Sequence, residues 1–273
     1  KQIGYYYEFE DITPRGKRYG DVVNRLTDLY VRVGLTGQAI QALKQRVKYL
    51  NFEKKRLTLS EADHSYLMNM TLKRIAELYL MAGKNAMVIK TLRGLKPLTV
   101  VEGKEEMYLE FETDVKFLKA TAHMNMAQHE EVLTDVAGLE GTRATRLRAD
   151  VYMAEHRWKE ALPLLAGLLS DSKDKKITGD FDVDAILDIA VVASHLENRD
   201  MIQALNEEYG GRIDDPEKRQ AFNIIVSSPV PVEITKPKIA QQIDVAERYG
   251  KLMEGIKKDI LDTSWSAKAP DEK

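Results

Sequence analysis

Three short strings in this sequence carry residue types that do chemistry. Asp180-Phe181-Asp182-Val183-Asp184 sets three carboxylates at alternate positions, as a calcium loop begins. Such a loop continues with a glycine and closes on a glutamate at its twelfth place. Here Ala185 and Val191 occupy those places, so the acids suit a helix first turn, where the macrodipole favours negative charge. His129-Glu130-Glu131 opens like a zinc-protease helix, but the second histidine would fall at 133, and Leu133 stands there. Ser170-Asp171-Ser172-Lys173 has the spacing of a serine nucleophile and its lysine, within a polar run that lacks the companion strings of that motif. His64, His123, His156 and His195 make no ligand spacing, and no glycine-rich phosphate loop occurs. The expectation is a chain with no catalytic residue, no metal site and no cofactor.

Composition narrows the classes further. There is no cysteine, which removes disulfides, thiolate ligands and a cysteine nucleophile together. The 41 basic and 43 acidic side chains leave a formal charge of -2, so no global field draws the chain to nucleic acid or an anionic membrane. The most basic stretch, Lys44, Arg46, Lys48, Lys54, Lys55 and Arg56, is interrupted by Tyr49, Leu50 and Phe52. That mixture can serve nucleic acid, but a solvated helix face is the expected role, and no nucleic-acid partner is expected. No apolar run reaches the roughly 18 residues of a membrane span, which predicts a soluble protein without one. The chain opens "KQIGYYYEFED" without methionine, as a fragment of a larger, bacterial protein would. Cytoplasm and periplasm both stay open, the second favoured if a signal peptide has been removed, and oligomeric state is not readable.

With 44% hydrophobic residues among 273, the chain can bury a sizeable core. The recurring period is helical. Val22, Val23, Leu26, Leu29, Tyr30 and Val33 share a face closed by Gly34, followed by Ala39, Ile40, Leu43 and Val47. Leu72, Ile75, Ala76, Tyr79 and Leu80 lead to Gly83, then Val88, Ile89, Leu92 and Leu95 before Pro97. Residues 115–126 with 130–136, 143–154 with 158–169, and 183–196 with 201–209 read as three more pairs. Turns of about four residues force each pair antiparallel, and pairs that cannot bury a face alone must stack.

One set of offsets recurs. In "ADVYMAEHRWKEALPLLAGLL", Ala149 and Tyr152 are followed by Ala161 and Leu165. Ala76, Tyr79, Val88 and Leu92 keep the same offsets, as do Thr27, Tyr30, Ala39 and Leu43. Ala120, His123, Val132 and Val136 is a weaker copy, and Ala190, Ala193 and Ile202 is weaker still. "LRADVYMAEHRWKEALPLL" and "RIAELYLMAGKNAMVIKTL" resemble the tetratricopeptide repeat (TPR) family, and the resemblance covers roughly residues 21 to 209. It implies an all-α fold of antiparallel helix pairs stacked into a right-handed superhelix. The key tyrosines, Tyr30, Tyr79 and Tyr152, are not spaced at multiples of the family's usual ~34 residues. The array is therefore degenerate, with "NFEKKRLTLSEADHS" and "KPLTVVEGKEEMYLE" expected as lengthened linkers.

Residues 1–209 are thus expected as about five helix pairs and 210–262 as C-terminal helices on a proline-rich connector, capping the array. Residues 263–273 are expected to be a disordered tail. Asp214 or Asp215 should cap a helix with Pro216 at its first position. Ile239, Ile243, Ala246, Met253, Ile256 and Ile260 lie on one face of an expected last helix.

In the family, first-helix residues line a concave groove. Carried over, those are Asn24 and Asp28, Lys73 and Glu77, and Arg146 and Asp150, with Met81 and Met124 as adaptable apolar contacts. Clamps for a C-terminal carboxylate usually have asparagine at the second place. Here that place is acidic three times, which argues against such a clamp. Each couple is also an i,i+4 pair able to neutralise itself on a solvated helix, and both readings stand. The resulting expectation is a non-enzymatic scaffold binding a peptide or partner helix. The alternatives are the helical part of a cell-wall lytic enzyme and an architectural spacer.

Overall fold

The computed structural model describes residues 19–53, 60–98, 103–170 and 180–227. Among them are helices and turns only. The chain divides into two compact units, with the boundary between Leu118 and Lys119. In the first, α1 (Tyr19–Arg32) packs on α2 (Thr36–Glu53), α2 on α3 (Glu61–Met81), and α3 on α4 (Asn85–Leu92). The boundary falls inside α5 (Glu105–Asn125). The second unit holds the end of α5 with α6 (His129–Asp135), α7 (Thr142–Ala154), α8 (Trp158–Ser170), α9 (Asp180–His195), α10 (Arg199–Tyr209) and α11 (Pro216–Ser227). There α7 packs on α6 and α8, α9 on α8 and α10, and α11 on both α9 and α10.

The recurring offsets are the buried ones. Ala76, Tyr79, Val88 and Leu92 are all buried, and so are Thr27, Tyr30, Ala39 and Leu43. Thr27 fits a small position because its hydroxyl donates to the Val23 carbonyl at 2.8 Å, leaving no orphaned polar group. Ala149, Ala161 and Leu165 are fully buried at 0% exposure, and so are Ala120, Val132 and Val136. The last pair departs from the offsets. Leu205 and Tyr209 of α10 enter the core, while Ile202 stays half-buried.

The turns are alike in backbone as well. Each first helix ends two residues before a left-handed residue: Gly34 (φ 78), Gly83 (φ 68), Ala127 (φ 55), His156 (φ 58) and Glu197 (φ 54). Each is seven places beyond the first small residue. The next amide always returns to the carbonyl five residues back: Leu35 to Tyr30 (2.8 Å), Lys84 to Tyr79 (2.9 Å), Gln128 to His123 (3.0 Å), Arg157 to Tyr152 (2.8 Å) and Asn198 to Ala193 (2.9 Å). This is the Schellman arrangement, which satisfies helix carbonyls that otherwise lack donors. Glycine enters the left-handed region freely, whereas a side chain there costs about 1–2 kcal/mol. Ala127→Gly and Glu197→Gly should therefore each stabilise the protein by about 0.5–1 kcal/mol, the gain being trimmed by the added freedom of the unfolded chain. The sites are far apart in sequence and share no contact, so thermal or urea unfolding of the double variant should show near-additive gains. An unchanged midpoint would mean the turns relax without strain.

Helices extend into two stretches expected as linkers: residues 51–53 and 61–65 of the first and 105–110 of the second are helical, while 54–59 and 99–102 lie outside the described residues. Ser60 caps α3, its hydroxyl oxygen accepting from the Asp63 amide at 3.0 Å, so Glu61 to Ser65 are helical. Glu105 accepts from the Gly103 amide at 3.1 Å as α5 begins. The added turns are packed: His64 is buried and donates from Nε2 to the Leu50 carbonyl at 3.1 Å, and Tyr66 meets Tyr108 edge-on at 6.0 Å. After α4, Asn69 receives the Lys96 amide at 2.9 Å and donates to the Lys96 carbonyl at 2.7 Å. Val33, placed on the α1 face from its period, lies past the helix end and is 58% exposed.

The expected cap before Pro216 is present. Asp215 Oδ1 accepts from the Glu217 and Lys218 amides at 2.9 and 3.0 Å. The aromatic N-terminal stretch, the proline-rich connector, the apolar stripe from Ile239 to Ile260 and the tail lie outside the described residues.

Candidate functional site

The groove residues read from the sequence sit on the first helix of each pair, and most of their charges are already engaged. In the first unit, Arg74 on α3 reaches Asp28 on α1 at 3.0 Å and Glu77 at 3.5 Å. Lys73 reaches Glu77 at 3.7 Å and pairs closely with Asp114 on α5. Asp28, Arg74, Glu77, Lys73 and Asp114 thus form a ladder of alternating sign across α1, α3 and α5. The Lys73 ammonium also lies 6.0 Å from the Phe111 ring centre. Asn24 is the acceptor of a close hydrogen bond from Arg46 on α2. Met81, at the end of α3, is half-buried.

In the second unit, Arg146 on α7 pairs with Asp150 at 2.9 Å and closely with Asp188 on α9. Its side chain is only 13% exposed. Burial alone would lower its pKa, but Asp150, Asp188 and Asp184 outweigh that and hold it above its ordinary value. Lys218 on α11 reaches Asp184 on α9 at 2.9 Å, continuing the same kind of bridge. Met124 packs against Ala120, Val132, Val136 and Val151, so it belongs partly to the core.

Sequence reasoning missed Arg74, Asp114, Asp188 and Lys218, and took Arg46 only as part of a basic stretch, not as the partner of Asn24. A signal existed: the inter-helix couples are separated by 46, 41 and 42 residues, close to the spacing of successive first helices. Charge on a first helix could have been matched at that interval. Two groups show what burial costs them. Burial raises the Asp28 pKa, with Arg74 and Arg32 pulling it down. A carboxyl whose folded-state pKa is raised loses stabilising effect as pH rises through that range. Arg46 is held below its ordinary value by burial, with Asp21 opposing.

The motifs that opened the sequence also find places. Asp184 serves Lys218, and the side chains of residues 180–182 lie outside the described residues, as do residues 171–179. His129 lies 3.5 Å from Glu155, while Glu130 and Glu131 are exposed in the first turn of α6. His123 takes the tyrosine's place in its pair and meets Asp135 at 2.7 Å. His195 stacks on Trp158 with ring centres 4.2 Å apart. The basic stretch is not one solvated face: Arg46 is buried, Lys44 lies 5.7 Å from the Tyr79 ring centre, and Lys54 to Arg56 lie outside the described residues. Among the described residues no three metal-ligating side chains converge, and no helix is long and apolar enough to cross a membrane. The chemistry this arrangement can perform is charge pairing between helices and the display of what remains of that charge. No family model, curated protein or solved structure matches the chain.

Proposed function

We propose that this chain is a non-enzymatic interaction scaffold, a degenerate TPR-like array of helix pairs wound in a right-handed superhelix. The observation that carries this reading is the shared turn: five left-handed residues with the same returning hydrogen bond, each seven places after the first small residue. Units built alike and stacked on neighbours offer extended surfaces, which is how such arrays bind. The partner is a peptide or helix that meets the first-helix face. In the first unit that face carries three carboxylates against two cations, and around Arg146 it carries Asp150 and Asp188 against one. A partner with an apolar anchor and a surplus of basic groups suits it.

One observation favours a second reading, an architectural spacer. The first-helix charges are partnered within the chain, which braces the stack without any ligand. Affinity capture separates the two. The isosteric variant Glu77→Gln/Asp150→Asn removes two negative charges from the face, and Glu207→Gln/Glu208→Gln removes two from exposed positions of a second helix. A scaffold should capture a defined partner with wild type and the second-helix variant, and bind it more weakly through the first-helix variant, with altered salt dependence. Identical capture by all three folded proteins would move binding off this face, and capture of nothing by any of them would favour the spacer.

A further inference from the structure

Arg46 is a buried cation whose hydrogen bonding is incomplete. It lies on α2, and only 7% of the residue is exposed. Nη1 donates to Asn24 Oδ1 on α1 in a close bond. Nε is buried and has no acceptor among the described residues. Nη2 lies against the first turn of α1, where a Cβ on Gly20 would stand 3.3 Å from it. Nε and Nη2 together make the side edge of a guanidinium, from which two parallel N–H bonds point the same way.

The other partly buried cations are served differently. Arg146, Lys73 and Arg74 each meet a carboxylate directly. Arg46 meets the neutral Asn24, while Asp21, which is exposed, acts on it through space. A buried charge is normally paired and fully hydrogen-bonded, because its loss of hydration is costly otherwise. The surroundings favour an anion at the open edge. The first turn of α1 carries the positive end of the helix dipole. Tyr19, next to Gly20, and Tyr49, one turn beyond Arg46, set an aromatic pair beside it with ring centres 4.5 Å apart. Apolar walls of that kind strengthen a charge-assisted bond, since water screens it less.

We propose that the Nε–Nη2 edge of Arg46, together with Gly20 and the first turn of α1, is a binding site for a carboxylate-bearing ligand. A planar carboxylate accepts two parallel hydrogen bonds from such an edge. Asp21 repels a dianion more than a singly charged group, which sets carboxylate ahead of phosphate. The assignment holds whether or not the first-helix face binds a partner.

The test titrates the full chain with sodium acetate, and separately with inorganic phosphate, each replacing chloride at constant ionic strength. The reporter is the Arg46 Nε–Hε resonance in two-dimensional NMR, assigned by its loss in Arg46→Lys. Acetate should shift that resonance saturably. Gly20→Ala should weaken the binding, because the added Cβ crowds Nη2. Alanine suits a helix better than glycine, so this variant should keep α1 intact. A shift that never saturates would overturn the assignment. So would saturation indifferent to Gly20→Ala, or saturation by phosphate alone.

Discussion

Replacing Arg146 by glutamate should destabilise the protein by about 3–5 kcal/mol, the range for breaking a buried ion pair by removing one partner. The side chain is 13% exposed and sits between Asp150 and Asp188, with Asp184 near enough to act on it. The reversal removes the cation that Asp150 and Asp188 both face and adds a carboxylate beside them, in a place where water screens them poorly. This differs from the outcome expected of an exposed groove charge, for which folding would hardly change. Urea unfolding measures it, with Arg146→Met as the comparison. Methionine keeps the buried methylenes and adds no charge, so it should cost clearly less than glutamate. Pairing Arg146→Met with Asp188→Leu should then recover part of the loss, because both ends of the bridge are removed together. Equal stability of wild type and Arg146→Glu would show that the bridge does not form in solution.

The second large effect lies where α7 and α8 cross. Ala149 and Ala161 are both at 0% exposure within the cluster that contains Leu165, Leu168, Ile186 and Ile189. Two alanines at the crossing set how closely the helix axes approach. Ala161→Trp has no room at this point, and overpacking should cost about 3 kcal/mol, at the upper end of the usual range. Lys159→Trp, exposed two residues earlier on α8, should leave the melting temperature nearly unchanged. If the two tryptophans behave alike, the crossing is not where the structure puts it.

These two predictions differ in how far the sequence led to them. Ala149, Tyr152, Ala161 and Leu165 could be read directly, because small and large residues at fixed offsets have one sensible packing solution, and Gly34 and Gly83 announce their turns. The turns at Ala127, His156 and Glu197 carry no glycine, so their left-handed backbone is imposed by the packing of the flanking helices. The added turns of α3 and α5 were signalled only weakly, by Ser60 three residues before Asp63 and by acids ahead of Tyr108. The ladder was half-readable. Lys73–Glu77 and Arg146–Asp150 follow from helix periodicity, whereas Asp28–Arg74 and Arg146–Asp188 depend on how successive pairs are set side by side. Local spacing carries no information about that distance. Met124 was read as a surface contact because its neighbours Val132, Val136 and Val151 come from other helices.

Packing that joins mostly helices adjacent along the chain has a kinetic consequence. Closing each contact requires only a short loop, so relative contact order is low and little chain entropy is spent before native contacts form. Folding can begin at any well-packed pair and spread to its neighbours. Breakdown follows the same route in reverse, beginning with the least tightly packed pair. Its amides should exchange with solvent through fraying that leaves the other pairs intact. Local opening of this chain can then precede its cooperative unfolding, and hydrogen exchange reports the first while urea reports the second.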